Sequence, residues 1–456
     1  MLRCGLLLLL LPVFCSFRAP AGLLQRGHAL SAGVALSDDF IKKNVANEGD
    51  LRISANGRAK VPIKNGDCLA SIPLGLCLDP AKARAVFSSS AKTLSLLRTG
   101  DFGLIALLLL HERSLGKASK WWEYINSLPD TTPGILSWSQ ADLDELFVSS
   151  TRDFASQIAA VNEDWQLISR LPELSSVDED AFKWAVGTVK ARNVFIENQP
   201  VLVPIIDVMS FDPFSEAEPT VGSAGIFGGK IVRVFADSSY KAGDEVFISY
   251  GLKSSAECVE DHGFCPEVPL VDACCELKVG LDEEDRFVDD KIEILEQQGL
   301  DKSVRVDIEA SPTAQLDKQL LQVLRLKCIE KTDSFILESV FSNTVWKTLT
   351  LPFSKANELK VYSTLGDKLR GHLTTINSKS TADQDANILS ATSAPSPSVT
   401  LARLRSQERA ALQGALANIE ATVRVLTAAD TTEYYQERRL RELDLLRPLD
   451  EDEIVS

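Results

Sequence analysis

Tyr250 ends the run Val246-Phe247-Ile248-Ser249 and is followed directly by Gly251. A tyrosine at the end of an apolar strand, with glycine next, aims a phenol at a place the backbone can approach closely. About forty residues earlier, Val201-Leu202-Val203-Pro204-Ile205-Ile206 reads as an apolar strand that stops at a lone acid, Asp207, before Val208-Met209-Ser210-Phe211. Arg233-Val234-Phe235-Ala236 and the strand leading to Tyr250 read as a hairpin around the Lys241-Ala242-Gly243-Asp244 turn. Other chemistries find little support. The chain has 4 histidines, with no His-x-x-x-His pair and no Gly-x-Ser-x-Gly elbow, which argues against a metal or nucleophilic hydrolase. Gly222, Gly225, Gly228 and Gly229 mark a glycine-rich loop without the Lys-Ser/Thr ending of a phosphate cradle. Cys258, His262, Cys265, Cys274 and Cys275 cluster, but they include no Cys-x-x-Cys pair and sit among apolar residues, so no metal is expected. His111, alone at the end of a helical run, reads as structural.

The elements that must hold these residues follow from the patterning. Of 456 residues, 45% are hydrophobic and 25% charged, enough for two or three domains around sizeable cores. A net charge of −16 argues against nucleic acid, whose phosphates are bound by Lys and Arg, and suits a basic, lysine-bearing protein partner. Val61-Pro62-Ile63 and Cys68 to Pro73 read as a hairpin about Asn65-Gly66-Asp67. From 81 to 190 the chain turns helical, with Leu104 to Leu110 as a core helix too short for a membrane span. From about 285 it reads as helical to the end. Gly299 stops one helix, Ser311-Pro312 starts another, and Leu401, Leu404, Leu412, Leu416, Ile419, Val423 and Leu426 trace a long amphipathic one.

Residues 1–37 contain Arg3, Arg18 and Arg26 but no acid. Arg3, the Leu6–Leu11 run and Cys15-Ser16 read as a signal peptide, and the acid-free, alanine-rich stretch after it as a transit peptide. Such a two-part leader points to a plastid; simple secretion is the alternative. Cys4 and Cys15 leave with it, and seven of the nine cysteines remain without framework spacing, which suits a reducing compartment.

The ordered set of pieces resembles the SET-domain protein lysine methyltransferases of the Rubisco large-subunit methyltransferase type. The carrying pieces are Gly66 to Pro73, Leu107 to Pro129 with Glu112, Ser119 and Trp122, and Leu202 to Asp207. They continue with Tyr240 to Glu245, Ile248-Ser249-Tyr250-Gly251 and His262-Gly263-Phe264, then Leu324-Arg325-Leu326, Asn357-Glu358 and Asp383 to Leu389. The resemblance implies an α+β fold: a cluster of small β-sheets over 38–270 with a helical insertion near 90–190, then a helical substrate-binding domain over 280–456. It implies methyl transfer from S-adenosylmethionine to a lysine of a plastid protein docked on the helical domain, by a monomer with no nucleic-acid partner and no membrane insertion. Tyr250 is the catalytic residue it implies. Asn56, Gly57, Arg58, Arg192, Asp207, Ser210, Phe211 and Phe264 are the cofactor wall.

Three positions depart from that family. Asn-His after the acid is Ser210-Phe211 here, the Gly-x-Gly loop is reduced to Asn56-Gly57-Arg58 or, in an ungapped match, to Ser54-Ala55-Asn56, and Tyr-Gly-Phe is His262-Gly263-Phe264. Two readings therefore stand: an active protein-lysine methyltransferase, or a non-catalytic relative that grips a protein and has a degenerate cofactor pocket.

Overall fold

A computed structural model describes residues 36–443, apart from 46–50, 175–176, 213–214, 224–228, 252, 270–273, 310–315, 339–343, 392–395 and 429–431. The expected leader lies, up to residue 35, outside the described residues. Ser37 caps α1 (Asp38–Asn44), its hydroxyl accepting the Phe40 amide. After β1 (Cys68–Pro73) come α2 (Pro80–Val86), α3 (Ala91–Leu94), α4 (Asp101–Ser114), α5 (Trp122–Ser127), α6 (Gln140–Ser149), α7 (Phe154–Ile168) and α8 (Glu179–Arg192). α4 is apolar all round and Leu104 to Leu110 are all buried, packed chiefly against α2, α5 and α8. Leu107 is fully buried, and Leu107→Ala would cost about 2–5 kcal/mol. Between Gln140 and Ile168 the chain forms two helices, and Asp153 caps the second by accepting the Ser156 amide.

The strands are β2 (Val194–Ile196), β3 (Gln199–Val201), β4 (Ser210–Phe211), β5 (Thr220–Ser223), β6 (Lys230–Phe235) and β7 (Phe247–Ile248), followed by α9 (Ser255–His262). Their pairing corrects three expectations. β1 pairs antiparallel with β6, not with 61–63; Ile63 instead bridges to Tyr240. β6 pairs with β1 and β5, not with the strand before Tyr250. The 241–244 turn does form, with Gly243 at φ 88° and the Asp244 amide donating to Lys241 O at 3.0 Å. Finally, Val201 to Asp207 is not one strand. β3 ends at Val201, Leu202 bridges to Leu78, Pro204 removes a ladder donor, and Ile206–Val208 is a 3-10 turn.

β8 (Cys274–Gly280), α10 (Val288–Gln297), β9 (Ser303–Glu309), α11 (Lys318–Lys327), α12 (Val345–Thr348), α13 (Lys355–Lys379), α14 (Ala382–Ala391), α15 (Pro397–Ala428) and α16 (Tyr435–Glu442) complete the chain. β8 and β9 pair antiparallel over their full length, so among the described residues the C-terminal region is helical with a two-stranded sheet rather than helical throughout. α11 starts at Lys318, where Asp317 accepts the Leu320 amide and supplies the cap; the expected start at Ser311-Pro312 lies outside the described residues. Arg325 on α11 forms a forked, buried pair with Glu358 on α13, at 2.6 and 3.1 Å. Asp385 on α14 accepts from Arg405 and Arg409 on α15. Three pieces quoted for the resemblance are thus the anchors of this region's buried ion pairs.

One apolar core gathers buried residues between Leu36 and Cys258, and a second gathers those between Cys275 and Ile419. A third joins the two regions: Leu401 and Leu404 of α15 pack with Ile135, Leu146, Phe154, Val259 and Cys265. Arg405 reaches across to Glu145 at 2.8 Å and Ser149 at 3.0 Å. Glu408 accepts from the Ser150 hydroxyl and, at 2.7 Å, from the Thr151 amide.

Candidate active site

The parallel pair β4–β7 positions the tyrosine. Ser210 lies opposite Phe247 and Phe211 opposite Ile248. Tyr250 follows two residues after β7, is buried, and donates its hydroxyl back to Met209 O at 3.1 Å. Burial above all, and then the charge of Asp207, push its pKa far above the usual phenol value, so the side chain stays a neutral donor and acceptor.

One side of Tyr250 is aromatic. Its ring meets Phe211 edge to face, with centroids 5.8 Å apart at 80°. Phe211 stacks on His262 at 4.9 Å and 17°, and the half-buried Phe264 ring is 6.3 Å from Phe211. α9 brings His262 here. Ser254 and Glu257 form its capping box, and Gly263 ends it in the left-handed region at φ 71°. A Cβ at Gly263 would lie 1.9 Å from Pro133 O, so only glycine permits this approach. His262 is buried and neither ring nitrogen has a hydrogen-bond partner among the described residues. Burial, assisted by Lys253 and Arg192, holds its pKa well below the ordinary histidine value, so the imidazole is neutral.

The other side is polar. Asp207, on its 3-10 turn, accepts the Tyr124 hydroxyl at 2.6 Å on Oδ2. Arg192, in the last turn of α8, donates to Asp207 O at 3.0 Å and lies 3.9 Å from Oδ2. Oδ1 is buried without a partner among the described residues. Burial lifts the Asp207 pKa to about 6, against the pull of Arg192 and the Tyr124 bond. Burial wins because the better Arg192 contact is to the main-chain carbonyl rather than the carboxylate.

The sequence-predicted residues divide into two groups. Arg192, Asp207, Ser210, Phe211, Tyr250 and Phe264 are brought together. Gly57 joins them through its main chain: its carbonyl accepts the Val246 amide at 3.0 Å, and a Cβ there would lie 2.4 Å from Val208 O. Asn56 and Arg58 are exposed; Asn56 accepts from Ser54 and Arg58 donates to Gly243 O, so neither side chain enters the buried cluster. The Ser210 hydroxyl donates to Glu245. Two residues were missed. Tyr124 lies 83 positions from Asp207, and no local pattern signals that contact. His262 was legible as a departure from the family pattern, but its stacking on a second departure, Phe211, was not.

A cleft of about 590 Å³ opens beside the cluster, between the start of α4, α7, α8 and α9, with Tyr250 and Gly251 among its lining residues. No group of three His, Cys, Asp or Glu among the described residues is placed to hold a metal ion.

Residues 282–413 match the Rubisco LSMT substrate-binding family model. The chain is 29% identical to the [fructose-bisphosphate aldolase]-lysine N-methyltransferase of Arabidopsis thaliana, covering 75% of this chain and 72% of that one. It is 28% identical to the ribulose-1,5-bisphosphate carboxylase/oxygenase large subunit N-methyltransferase of Nicotiana tabacum, covering 91% and 84%. A crystal structure of the SET domain of LSMT bound to lysine and AdoHcy superposes with a TM-score of 0.72 at 27% identity, covering 87% of this chain and 90% of that one. The fold is that of the SET-domain structure it superposes on. Over most of its length the chain is similar to proteins of the Rubisco large-subunit methyltransferase type.

Proposed function

We propose that this protein is an S-adenosylmethionine-dependent protein-lysine N-methyltransferase acting in a plastid. The observation that carries the reading is Tyr250: a buried, neutral phenol fixed to Met209 O between an aromatic face and the Asp207–Arg192–Tyr124 corner. The residues suit the cofactor. Asp207 Oδ1 and both His262 nitrogens are buried polar atoms without partners in the described chain, and a polar ligand would answer them. Arg192, Asp207, Ser210, Phe211, Phe264 and the Gly57 main chain would hold it. When bound, S-adenosylmethionine would supply its sulfonium methyl to a neutral lysine amine and leave as S-adenosylhomocysteine.

The remaining chemistry belongs to the chain. Tyr250 orients through hydrogen bonding and cannot act as the base, because its pKa is raised. The aromatic wall favours an incoming cation by its ring faces while excluding the water that keeps an amine protonated. Alignment of nucleophile and methyl within that wall then lowers the barrier. Chloroplast-directed relatives support the plastid reading, as do the leader features at the N-terminus. The chain divides, in this reading, near 270–280 into a SET unit and a helical substrate-binding unit, working as a monomer.

Calorimetric titration with S-adenosylmethionine, followed by transfer of labelled methyl to chloroplast extract, Rubisco large subunit and plastid aldolase, tests the proposal. Binding is expected, together with transfer that Tyr250→Phe lowers by about 100-fold or more. One observation favours a non-catalytic protein-binding relative instead: Ser210 is engaged by Glu245, and Phe211 is packed on His262. Absence of both heat and transfer would establish that second reading.

A further inference from the structure

The cleft beside Tyr250 has walls rich in charge, yet the charges are matched among themselves. Lys190 pairs with Glu260 and lies 3.8 Å from Asp261. Lys253 donates to Asp261 at 2.6 Å. Arg152 bridges Glu260 at 2.8 Å and Glu276 at 3.2 Å. Arg98 meets Glu163 at 3.2 Å, and Glu257 is committed to the α9 capping box. A charged residue of a substrate would have to displace an existing partner from these walls, which gains little net energy.

The part of the lining left unspent is aromatic. β2 alternates in burial: Val194 and Ile196 face the core, and Phe195 between them is 52% exposed. Phe195 lines the cleft, with its ring edge-on to Phe102, which also lines it, at 6.4 Å and 79°. The short β2–β3 hairpin fixes that ring in place. Its two turn residues, Glu197 and Asn198, both have positive φ, at 51° and 63°, the geometry that matches strand twist. A large aromatic held half out of the fold on a rigid hairpin, in the same cleft as the active-site tyrosine, is surface that gains by being covered.

We propose that the Phe195–Phe102 edge is a subsite for an apolar side chain next to the target lysine of the protein substrate. The occupant is set by chemistry: the charges around it are already paired, and the uncovered surface is a hydrocarbon ring with no polar atom. The inference rests on the methyl-transfer reading of Tyr250 and adds to it a sequence preference around the lysine.

The test uses the full chain and short synthetic peptides centred on one lysine, with each flanking position carried in turn as Leu, Asp or Arg. At one flanking position Leu should lower KM relative to Asp or Arg by about tenfold, the scale of one apolar contact. Phe195→Ala should erase that preference while leaving S-adenosylmethionine binding by calorimetry and Tm unchanged, because the side chain is exposed. A flat preference in the wild type, or the same preference in Phe195→Ala, overturns the subsite. If intact proteins alone are methylated, Phe195→Ala must raise KM for the methylated protein at unchanged kcat, and an unaltered KM overturns it equally. Failure of the wild type to methylate any peptide or protein defeats the methyltransferase reading itself, and the subsite with it.

Discussion

Asp207 and His262 are both buried against Tyr250, and the chain treats them in opposite ways. Asp207 is surrounded by help: Tyr124 donates to its carboxylate, Arg192 to its carbonyl. His262 has aromatic rings on its faces and no hydrogen-bond partner for either nitrogen among the described residues. The difference shows two solutions to one cost. A group that must keep access to charge is given partners, whereas a group that can shed its charge is left neutral and packed as though it were a hydrocarbon.

The sharpest way to break this contrast is to strip Asp207. Asp207→Ala leaves Arg192 buried beside a lost carboxylate, and urea unfolding should show a loss of about 3–5 kcal/mol. A loss under about 1 kcal/mol would mean the corner's partners contribute little. Tyr250→Phe keeps the ring between the two corners and removes the hydroxyl. Methyl transfer should fall by about 100-fold or more with little change in unfolding midpoint, as expected for a positioned polar group at the reacting centre.

A second buried acid extends the comparison. Glu408 accepts hydrogen bonds from Ser150 and Thr151, and burial lifts its pKa to about 7 against their pull. Between its unfolded value and about 7 the folded chain binds the extra proton. Stability therefore falls as pH rises through that window and is greatest at its acidic end, by up to about 1.4 kcal/mol per pH unit. Asp207 adds the same sign up to about pH 6. Glu408→Gln should flatten the upper part of a stability–pH curve; an unchanged slope there would remove Glu408 from the account. The smallest effect belongs to His262. His262→Phe removes two unsatisfied polar atoms from an aromatic stack, so Tm should hold or rise, by the equivalent of about 1 kcal/mol. A clear fall in Tm would show that the imidazole has a partner.

How much of this was readable follows from distance along the chain. α4, α8 and α15 were legible because a helix declares itself within a few turns: the Leu104–Leu110 run and the leucines from 401 to 426 fall where expected. The strands were legible as apolar segments but not in their pairing. Local hairpins are the default guess, whereas β1 joins β6 from more than 150 residues away and β4 joins β7 in parallel across a long excursion. The candidate site divides in the same way. Tyr250, Asp207, Ser210 and Phe211 were named from two nearby stretches. Tyr124 was not, because a partner on α5 leaves no mark on the sequence around Asp207. Asn56 and Arg58 were carried along with Gly57, although only the residue without a side chain fits against Val208.

Gly263 carries a consequence for how the molecule is made. Its backbone is approached by Pro133 from the helical insertion, and its carbonyl accepts the Thr400 hydroxyl at 3.3 Å. Segments from the second, third and last quarters of the chain therefore meet at one bare peptide. During vectorial synthesis, the turn that sets His262 and Phe264 lacks its outer support until α15 has left the ribosome. The apolar faces of Val259, Cys265 and Phe154 wait uncovered until then. The helical region is thus the closing piece of the candidate site as well as a neighbour to it, and a chain stopped short of α15 would present an open seam to chaperones.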